Sequence, residues 1–342
     1  MLREQVIPAS EGPQVMKTLF LGSFGARPGV WEAILAKTTE KLDSSVLFDI
    51  DDTQRLMPAL AEAEIVVSHV WKKDFPDAPR LRLLQSVAAG IDLIDVPSLP
   101  RGVTVCSVAG HEQAIAEYVL MTMLAWHHRL IDIAAAFRGG VWSTGGGAGG
   151  GPTHGEILGQ TIGIVGYGRI GREVAKRAAA FGCRVIAINR SLIADRGDAA
   201  EVYPLSELDR VLPLCDVVVI AAGLGPETAG LIDARRLGLM KPTGFLINIG
   251  RAGIIDETAL YMALKENRIA GAAIDVWWQY PTKDEPNRRG SRLPLHELPN
   301  VIMTPHCSSA TDGARDRRFG TVAGNLDRHA RGEPLTNIVL QT

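Results

Sequence analysis

One short stretch constrains the fold of this chain more than any other: Gly166-Tyr167-Gly168-Arg169-Ile170-Gly171. The apolar run Thr161–Val165 leads into it and an amphipathic stretch, Arg172–Phe181, leads out, so the pattern predicts a strand, a tight turn and a helix. Each glycine has its own reason to be there. Gly166 permits the turn, Gly168 lets the backbone approach a pyrophosphate, and Gly171 lets the helix lie close to the strand. The free N–H groups and positive dipole at the helix start then face the phosphates, with Arg169 and Ile170 in the same turn. A GxGxxG run alone is weak evidence; this strand–turn–helix setting makes it a dinucleotide-binding fingerprint.

Short apolar runs alternate with amphipathic stretches throughout the 342 residues, the pattern of parallel strands crossed by helices, and the length suits two domains. Before the fingerprint, strands are expected at Thr18–Gly22, Val46–Ile50, Ile65–His69, Arg82–Val87 and Val103–Val108, with helices over Trp31–Thr39 and Thr53–Ala63. Glu112–Phe137 predicts one long buried helix that bridges two domains. Gly139–Gly151 holds eight glycines in thirteen positions and predicts a loop. After the fingerprint, strands at Arg184–Ile188, Val217–Ala221, Phe245–Ile249, Ala272–Val276 and Val301–Met303 complete a doubly wound unit. A final helix is expected over roughly Ser309–Arg331, returning to the first domain.

The end of the second strand of such a unit is where an acidic residue hydrogen-bonds the ribose 2′-hydroxyl of NAD. Here the chain reads Asn189-Arg190-Ser191. No carboxylate repels a 2′-phosphate, Arg190 offers a charge-assisted fork and Ser191 a hydroxyl, so NADP(H) is the expected cofactor. If Arg190 is only a solvated surface charge, NAD(H) binds as well.

A formal net charge of −2 leaves no overall basic field for nucleic acid or anionic membranes. The four cysteines show no CxxC pair and no His-flanked metal spacing, so they read as reduced thiols and no metal site is expected. No window reaches the roughly 18 apolar residues of a membrane span. Met1–Gln14 mixes charges, prolines and a glycine and lacks the apolar run of a secretory signal. The expectation is a cytoplasmic protein with no nucleic-acid or membrane partner.

Downstream, four stretches carry chemistry: Asn248-Ile249-Gly250-Arg251-Ala252-Gly253 with Asp256, then Gly271-Ala272-Ala273-Ile274-Asp275-Val276-Trp277, and Thr304-Pro305-His306. Together with the glycine fingerprint, their order and spacing resemble the D-isomer-specific 2-hydroxyacid dehydrogenases, whose relatives include glyoxylate/hydroxypyruvate, phosphoglycerate, formate and phosphite dehydrogenases. The resemblance covers nearly the whole chain and is strongest from Glu156 to Thr311. It implies an α/β fold of two doubly wound domains. One is a discontinuous, flavodoxin-like substrate domain, residues 1–111 and 307–342; the other is a Rossmann NAD(P)-binding domain, residues 112–306. It also implies a homodimer through the nucleotide domain and hydride transfer between the cofactor and a small 2-oxo or 2-hydroxy acid of D configuration.

By the same resemblance, Ser86–Asp92 is the loop whose backbone N–H groups hold the substrate carboxylate, through Ala88, Ala89 and Gly90. Ala222, Ile249 and Gly250 border the cofactor. Arg251 matches the arginine that clamps the carboxylate and polarises the 2-oxo group. His306 matches the histidine that protonates the nascent alkoxide. Asp275 matches the residue that hydrogen-bonds the nicotinamide carboxamide; an Asp that only caps a turn is the competing reading.

One position departs from the family pattern. Relatives place a glutamate beside the histidine, immediately before the proline after this strand; this chain has Tyr280 before Pro281. A neutral phenol cannot stabilise an imidazolium as a carboxylate does, so His306 is expected to lose its proton more readily than in relatives, with Tyr280, Gln279 or Glu285 as the residue that assists it. The formate branch also has a neutral residue there, which keeps formate oxidation as a second enzymatic reading. That branch has asparagine where this chain has His111. A third reading is a nucleotide-sensing interaction protein without catalysis. His69, at a predicted strand end, and His111, at the domain crossing, are further candidates for substrate contact. Trp277, Trp278 and Tyr280 either wall the cleft or pack the domain joint.

Overall fold

The computed structural model describes residues 15–142, 153–191 and 194–342; most of the glycine-rich stretch expected to form a loop lies outside them. The chain forms two compact units, one from the described residues up to Gly110 with Arg315–Thr342, the other from His111–Ala314.

In the first unit the strands are β1 (Met16–Leu21), β2 (Leu42–Leu47), β3 (Ile65–Val67), β4 (Leu83–Gln85) and β5 (Thr104–Cys106). In the second they are β6 (Thr161–Val165), β7 (Arg184–Asn189), β8 (Glu201–Pro204), β9 (Val217–Ile220), β10 (Phe245–Asn248), β11 (Gly271–Ile274) and β12 (Val301–Met303). The chain then returns to the first unit and ends in β13 (Ile338–Gln341).

The first sheet has the order β13-β5-β4-β3-β1-β2, parallel except for β13 against β5. Without β13 this is the flavodoxin-like order, with its switch point between β1 and β3. Its central strands are buried on both faces, which is why they read as continuous apolar runs. Leu19, Leu21 and Val66 pack with Leu56 and Leu60 of the helix Thr53–Glu62, while Phe20, Ile65 and Val67 pack with Phe319, Val322 and Leu326 of the helix Asp312–Ala330. Asp52 caps the first of these helices, accepting from Arg55 N. Asp327 fastens the second, accepting from Thr39 N, Thr39 Oγ1 and Glu40 N.

β2 begins four residues before the expected start, because Leu42-Asp43-Ser44-Ser45 is polar yet pairs in register with β1 from Met16↔Leu42. β13 was not foreseen at all. Its apolar residues are largely exposed on an edge, and only pairing with β5 makes it a strand.

The second sheet, β12-β11-β10-β9-β6-β7-β8, is parallel throughout and is the Rossmann order extended by one strand beyond β11. The half-buried edge strand β8 is again one that apolar patterning missed. The expected single helix Glu112–Phe137 is two. Glu112–His127 is deeply buried, Arg129 adopts a left-handed φ of 51°, and Leu130–Arg138 follows with no buried residue. A residue in that conformation cannot continue an α-helix. No helix among the described residues is long and apolar enough to cross a membrane.

Candidate active site

The fingerprint folds as its glycines require. Gly166 sits at φ 97°, and a Cβ on it would lie 2.5 Å from Ala222 N; one on Gly171 would lie 2.4 Å from Gly166 O. A side chain at either place would therefore separate β6 from its neighbour or from its helix. Gly168 differs, since a Cβ there meets nothing within 4 Å. The space above it is open. Gly168 is also the N-cap of the helix Arg169–Ala180, whose first amides have no side-chain cap. The Ile170 side chain packs on the core and Arg169 pairs with buried Glu112 at 3.4 Å, so the turn faces that space with backbone.

A cleft of ≈ 440 Å³ runs from these glycines between the ends of β7 and β9, lined by Asn189, Arg190, Ser191, Ala222 and Glu227 among others. Open backbone at Gly168 and a cleft of this size fit a dinucleotide. Asn189 Nδ2 donates to Ser191 O at 3.3 Å, which shapes the β7 end. Arg190 is 81% exposed and its Nε lies 3.9 Å from Glu227 Oε2, a loose pair. Glu227 was not singled out in the sequence; it comes from the segment after β9, and only the fold brings it to Arg190.

At the end of β10, Gly250 approaches β9 so closely that a Cβ would lie 2.5 Å from Ala222 O. Asn248 ties the turn, its Oδ1 accepting from Gly250 N and its Nδ2 donating to Arg251 O, both at 3.2 Å. Ile249 is buried beneath. Arg251 follows in extended conformation and is half-buried, with Nη1 donating to Gly250 O at 2.9 Å.

Asp275, at the end of β11, is fully buried. Its Oδ1 accepts from Thr304 Oγ1 at 2.6 Å and Cys307 N at 2.8 Å, and its Oδ2 from Ser308 N at 2.9 Å. Because Thr304 gives its proton to Asp275, Tyr118 Oη donates to Thr304 Oγ1, at 2.6 Å. Burial pushes the Tyr118 phenol up to about 12, so it keeps the proton that bond needs. This network holds the turn that carries His306, an exposed residue at a left-handed φ of 55°. Strain of that kind persists where the surroundings over-determine it. Asp275 thus commits its oxygens to the histidine turn.

Tyr280 Oη lies 2.8 Å from His306 Nδ1 and accepts from Trp277 N at 3.3 Å. Burial raises the Tyr280 pKa, opposed by the Trp277 bond and the Arg251 charge, so the group is a phenol. The two alternatives are engaged elsewhere: Glu285 pairs with Arg288 at 3.2 Å, and Gln279 Oε1 accepts from Arg288 Nε. Trp277 Nε1 donates to Thr304 O at 2.8 Å and Trp278 Nε1 to Ile255 O at 3.2 Å. Buried Glu257 takes Ser291 Oγ, Arg292 N and Arg292 Nε, pinning the far end of the loop after Trp278. The second unit therefore groups Arg251, Asp275, Tyr280 and His306 at the C-terminal ends of its strands.

The first unit groups the others. Ala88, Ala89 and Gly90 come after β4, and among the described residues the N–H groups of Ala89 and Gly90 make no hydrogen bond. Successive free amides of this kind suit an anion. His69 comes after β3, half-buried, with Nδ1 unpartnered, and burial lowers its pKa, so its ring is neutral. His111 falls apart from these: it is buried at the start of the helix Glu112–His127 in the second unit.

Comparison with known proteins agrees with this geometry. Residues 120–308 match the model of the D-isomer specific 2-hydroxyacid dehydrogenase NAD-binding domain. The chain is 39% identical over 275 residues to a glyoxylate reductase of Thermococcus gammatolerans, covering 78% of each protein. It superposes on a 2-hydroxyacid dehydrogenase from Ketogulonicigenium vulgare with TM-score 0.79 and 25% identity, over 96% of this chain and 99% of that one. An acyclic imino acid reductase solved with NADPH and D-Arg gives TM-score 0.78 at 27% identity, over 95% of this chain and 100% of that one. A Rossmann unit with a dinucleotide fingerprint, followed by the arginine and histidine turns that the family model spans, places the chain in the D-isomer-specific 2-hydroxyacid dehydrogenase family, as a nicotinamide-dependent enzyme.

Proposed function

We propose that this enzyme is an NADP(H)-preferring reductase of small 2-oxo acids, yielding D-2-hydroxy acids. The observation that carries the reading is the Tyr280–His306 contact of 2.8 Å in the unit that also presents Arg251. A bound nicotinamide supplies the hydride. Arg251 directs its guanidinium to the substrate carboxylate and to the 2-oxo oxygen as it gains charge. In the first unit, the amides of Ala89 and Gly90 suit a carboxylate, and His69 is the further candidate for substrate contact. His306 gives a proton from Nε2 to the 2-oxo oxygen.

Tyr280 is a positioning residue in this scheme. With its own proton turned away, the phenol accepts from Nδ1–H, which the ring keeps both as the imidazolium and after Nε2 has given up its proton. It adds no negative charge beside the imidazolium. Asp275, through the amides of Cys307 and Ser308, fixes where Nε2 points. Its proposed contact with a carboxamide competes with these bonds.

The preference for NADP(H) rests on Asn189-Arg190-Ser191 in the cleft, with Arg190 held only loosely by Glu227 and so available to a 2′-phosphate. A relative of the fold was solved with NADPH. A homodimer through the second unit is supported by the exposed apolar residues Leu130, Ile131, Phe137 and Trp142. A cytoplasmic setting accords with the three cysteines that are buried as free thiols.

Initial rates with NADPH and NADH on glyoxylate, hydroxypyruvate, pyruvate and phenylpyruvate test the reading. Turnover of at least one acid, with higher kcat/KM for NADPH, is expected. Reduction of NADP by formate with an inactive oxo-acid panel would replace it with formate oxidation. Tight NADPH binding without any turnover would replace it with nucleotide sensing.

A further inference from the structure

The cofactor cleft of the second unit sets one acid against one base. Asn189, Arg190 and Ser191 at the end of β7 form one wall, and residues 221–228, after β9, form the other. Among the described residues that line the cleft, Arg190 is the cation and Glu227 the acid. Glu227 Oε2 stands 3.9 Å from Arg190 Nε, and the two side chains are 61% and 81% exposed. An ion pair so long and so open to water adds little to the stability of a fold. The turn that carries Glu227 is closed by other groups. Thr228 Oγ1 accepts from Gly225 N and donates to Gly223 O, both at 2.8 Å, and the amides of Thr228 and Ala229 donate to Gly225 O. These bonds fix where the Glu227 backbone stands, and its carboxylate takes no part in them.

What that carboxylate faces gives it a use. A dinucleotide fold that takes NAD has an acid at the end of its second strand, where it accepts from the ribose 2′-hydroxyl. Here β7 ends in Asn189-Arg190-Ser191, with no acid among them. Glu227 brings a carboxylate to the same strand end from the opposite wall. The 2′ position of a bound cofactor therefore meets a cation and an anion side by side. A 2′-phosphate is drawn by Arg190 and repelled by Glu227, whereas a 2′-hydroxyl has no charge to repel and donates to the carboxylate. In a half-open cleft such a repulsion exceeds its value in bulk water and falls well short of its value in a dry interior. That is enough to change a preference without abolishing binding. The step rests on the NADP(H) reading, in which the phosphate comes to Arg190.

We propose that Glu227 is the residue that limits cofactor discrimination: it stands in for the missing strand-end acid, opposes the pull of Arg190 on a 2′-phosphate and accepts from a 2′-hydroxyl, so that the enzyme prefers NADPH and still takes NADH. Glu227 acts at the adenosine end of the cofactor, away from the reacting atoms. It is a specificity-determining residue, and removing its charge turns a tolerant enzyme into a stricter one.

The test is calorimetric titration of adenosine 2′,5′-bisphosphate and of adenosine 5′-monophosphate into the full-length enzyme and into Glu227→Gln, Glu227→Ala and Arg190→Met, each checked for an unchanged thermal midpoint. Neither ligand carries a nicotinamide, so the result does not depend on turnover. The bisphosphate should bind roughly 3- to 10-fold more tightly in both Glu227 variants, because the repulsion is gone. The monophosphate should bind about equally in Glu227→Gln, which keeps an acceptor, and roughly 3-fold more weakly in Glu227→Ala, which has none. The kcat/KM ratio of NADPH to NADH should rise with the bisphosphate affinity. Unchanged bisphosphate binding in Glu227→Gln overturns the proposal and leaves Glu227 as a surface charge. An equal gain for both ligands also overturns it and leaves Glu227 as a general repellent of nucleotides. Arg190→Met tests the reading beneath: it should weaken the bisphosphate by about 10-fold and the monophosphate far less. If it weakens neither, the NADP(H) reading fails, and the monophosphate titration of Glu227→Ala alone decides whether Glu227 takes the 2′-hydroxyl.

Discussion

The two units build the carboxyl ends of their parallel strands from different materials. The second unit cradles its dinucleotide with backbone: Gly166 turns, Gly171 admits the helix, and Gly168 leaves open space. The first unit brings together side chains from segments far apart, Phe24, His69 and Arg318. A backbone site must write glycine into consecutive positions, whereas a side-chain site leaves no local spacing. The first kind announces itself in sequence and the second does not.

If cradle and chemistry are separable in the second unit, Arg251→Met should lower kcat/KM on the best 2-oxo acid by roughly 10²- to 10³-fold. NADPH affinity, read by fluorescence quenching, should stay within about twofold. Parallel loss of cofactor binding would break the distinction, because Arg251 would then be shaping the cradle.

The glycines sharpen it next. Gly166→Ala puts a Cβ 2.5 Å from Ala222 N at φ 97°, so both stability and cofactor affinity should fall, stability by about 2–3 kcal/mol. Gly168→Ala meets nothing in the protein, so stability without cofactor should change by less than about 0.5 kcal/mol while affinity drops around tenfold or more. Thermal unfolding with and without NADPH separates the two; a destabilised Gly168→Ala would show that its open space is not kept for a ligand.

A smaller effect concerns the loop that carries Tyr280. Burial would raise the pKa of Glu257, but the bonds from Arg292 N, Ser291 Oγ and the Arg292 guanidinium outweigh it and lower the pKa overall. A lowered carboxylate pKa stabilises the fold above the unfolded value and is lost as pH falls through the folded one. Glu257→Gln should therefore cost about 1–3 kcal/mol at pH 7 and progressively less toward pH 3, by denaturant titration. A penalty independent of pH would show that packing, not charge, anchors the loop.

The smallest effect belongs to the first unit. Burial lowers the pKa of both His69 and His329, so the folded state holds them neutral. Stability from this source is present above the unfolded histidine pKa and is lost as pH falls below it toward the folded value. His69→Gln should flatten the decline in thermal midpoint between pH 7 and pH 5. An unaltered slope would mean that the His69 ring is reached by water and that the aromatic cluster is looser than its geometry indicates.

Much of this protein was legible before any fold was in hand, and the reason is local. The buried central strands of both sheets are continuous apolar runs, the fingerprint is a run of backbone needs, and Arg251 and His306 lie in short ordered motifs. The edge strands β8 and β13 escaped because an edge asks little of side chains and is defined by its pairing partner. The break at Arg129 escaped because the residues on either side are equally apolar, and only burial tells the two helices apart.

The sequence by itself determined two doubly wound α/β units, nicotinamide chemistry and the family, because each follows from periodicity or from residues a few positions apart. Only the tertiary structure decided what the side chains do across distance. Tyr280, rather than Glu285 or Gln279, meets His306; Asp275 is committed to the histidine turn; Glu227 reaches Arg190; and Arg318 stands over Phe24. Those pairings join residues separated by 26 positions for Tyr280 and His306 and by 32 for Asp275 and Cys307. At that separation spacing carries no signal, and contact is set by which strand ends lie side by side.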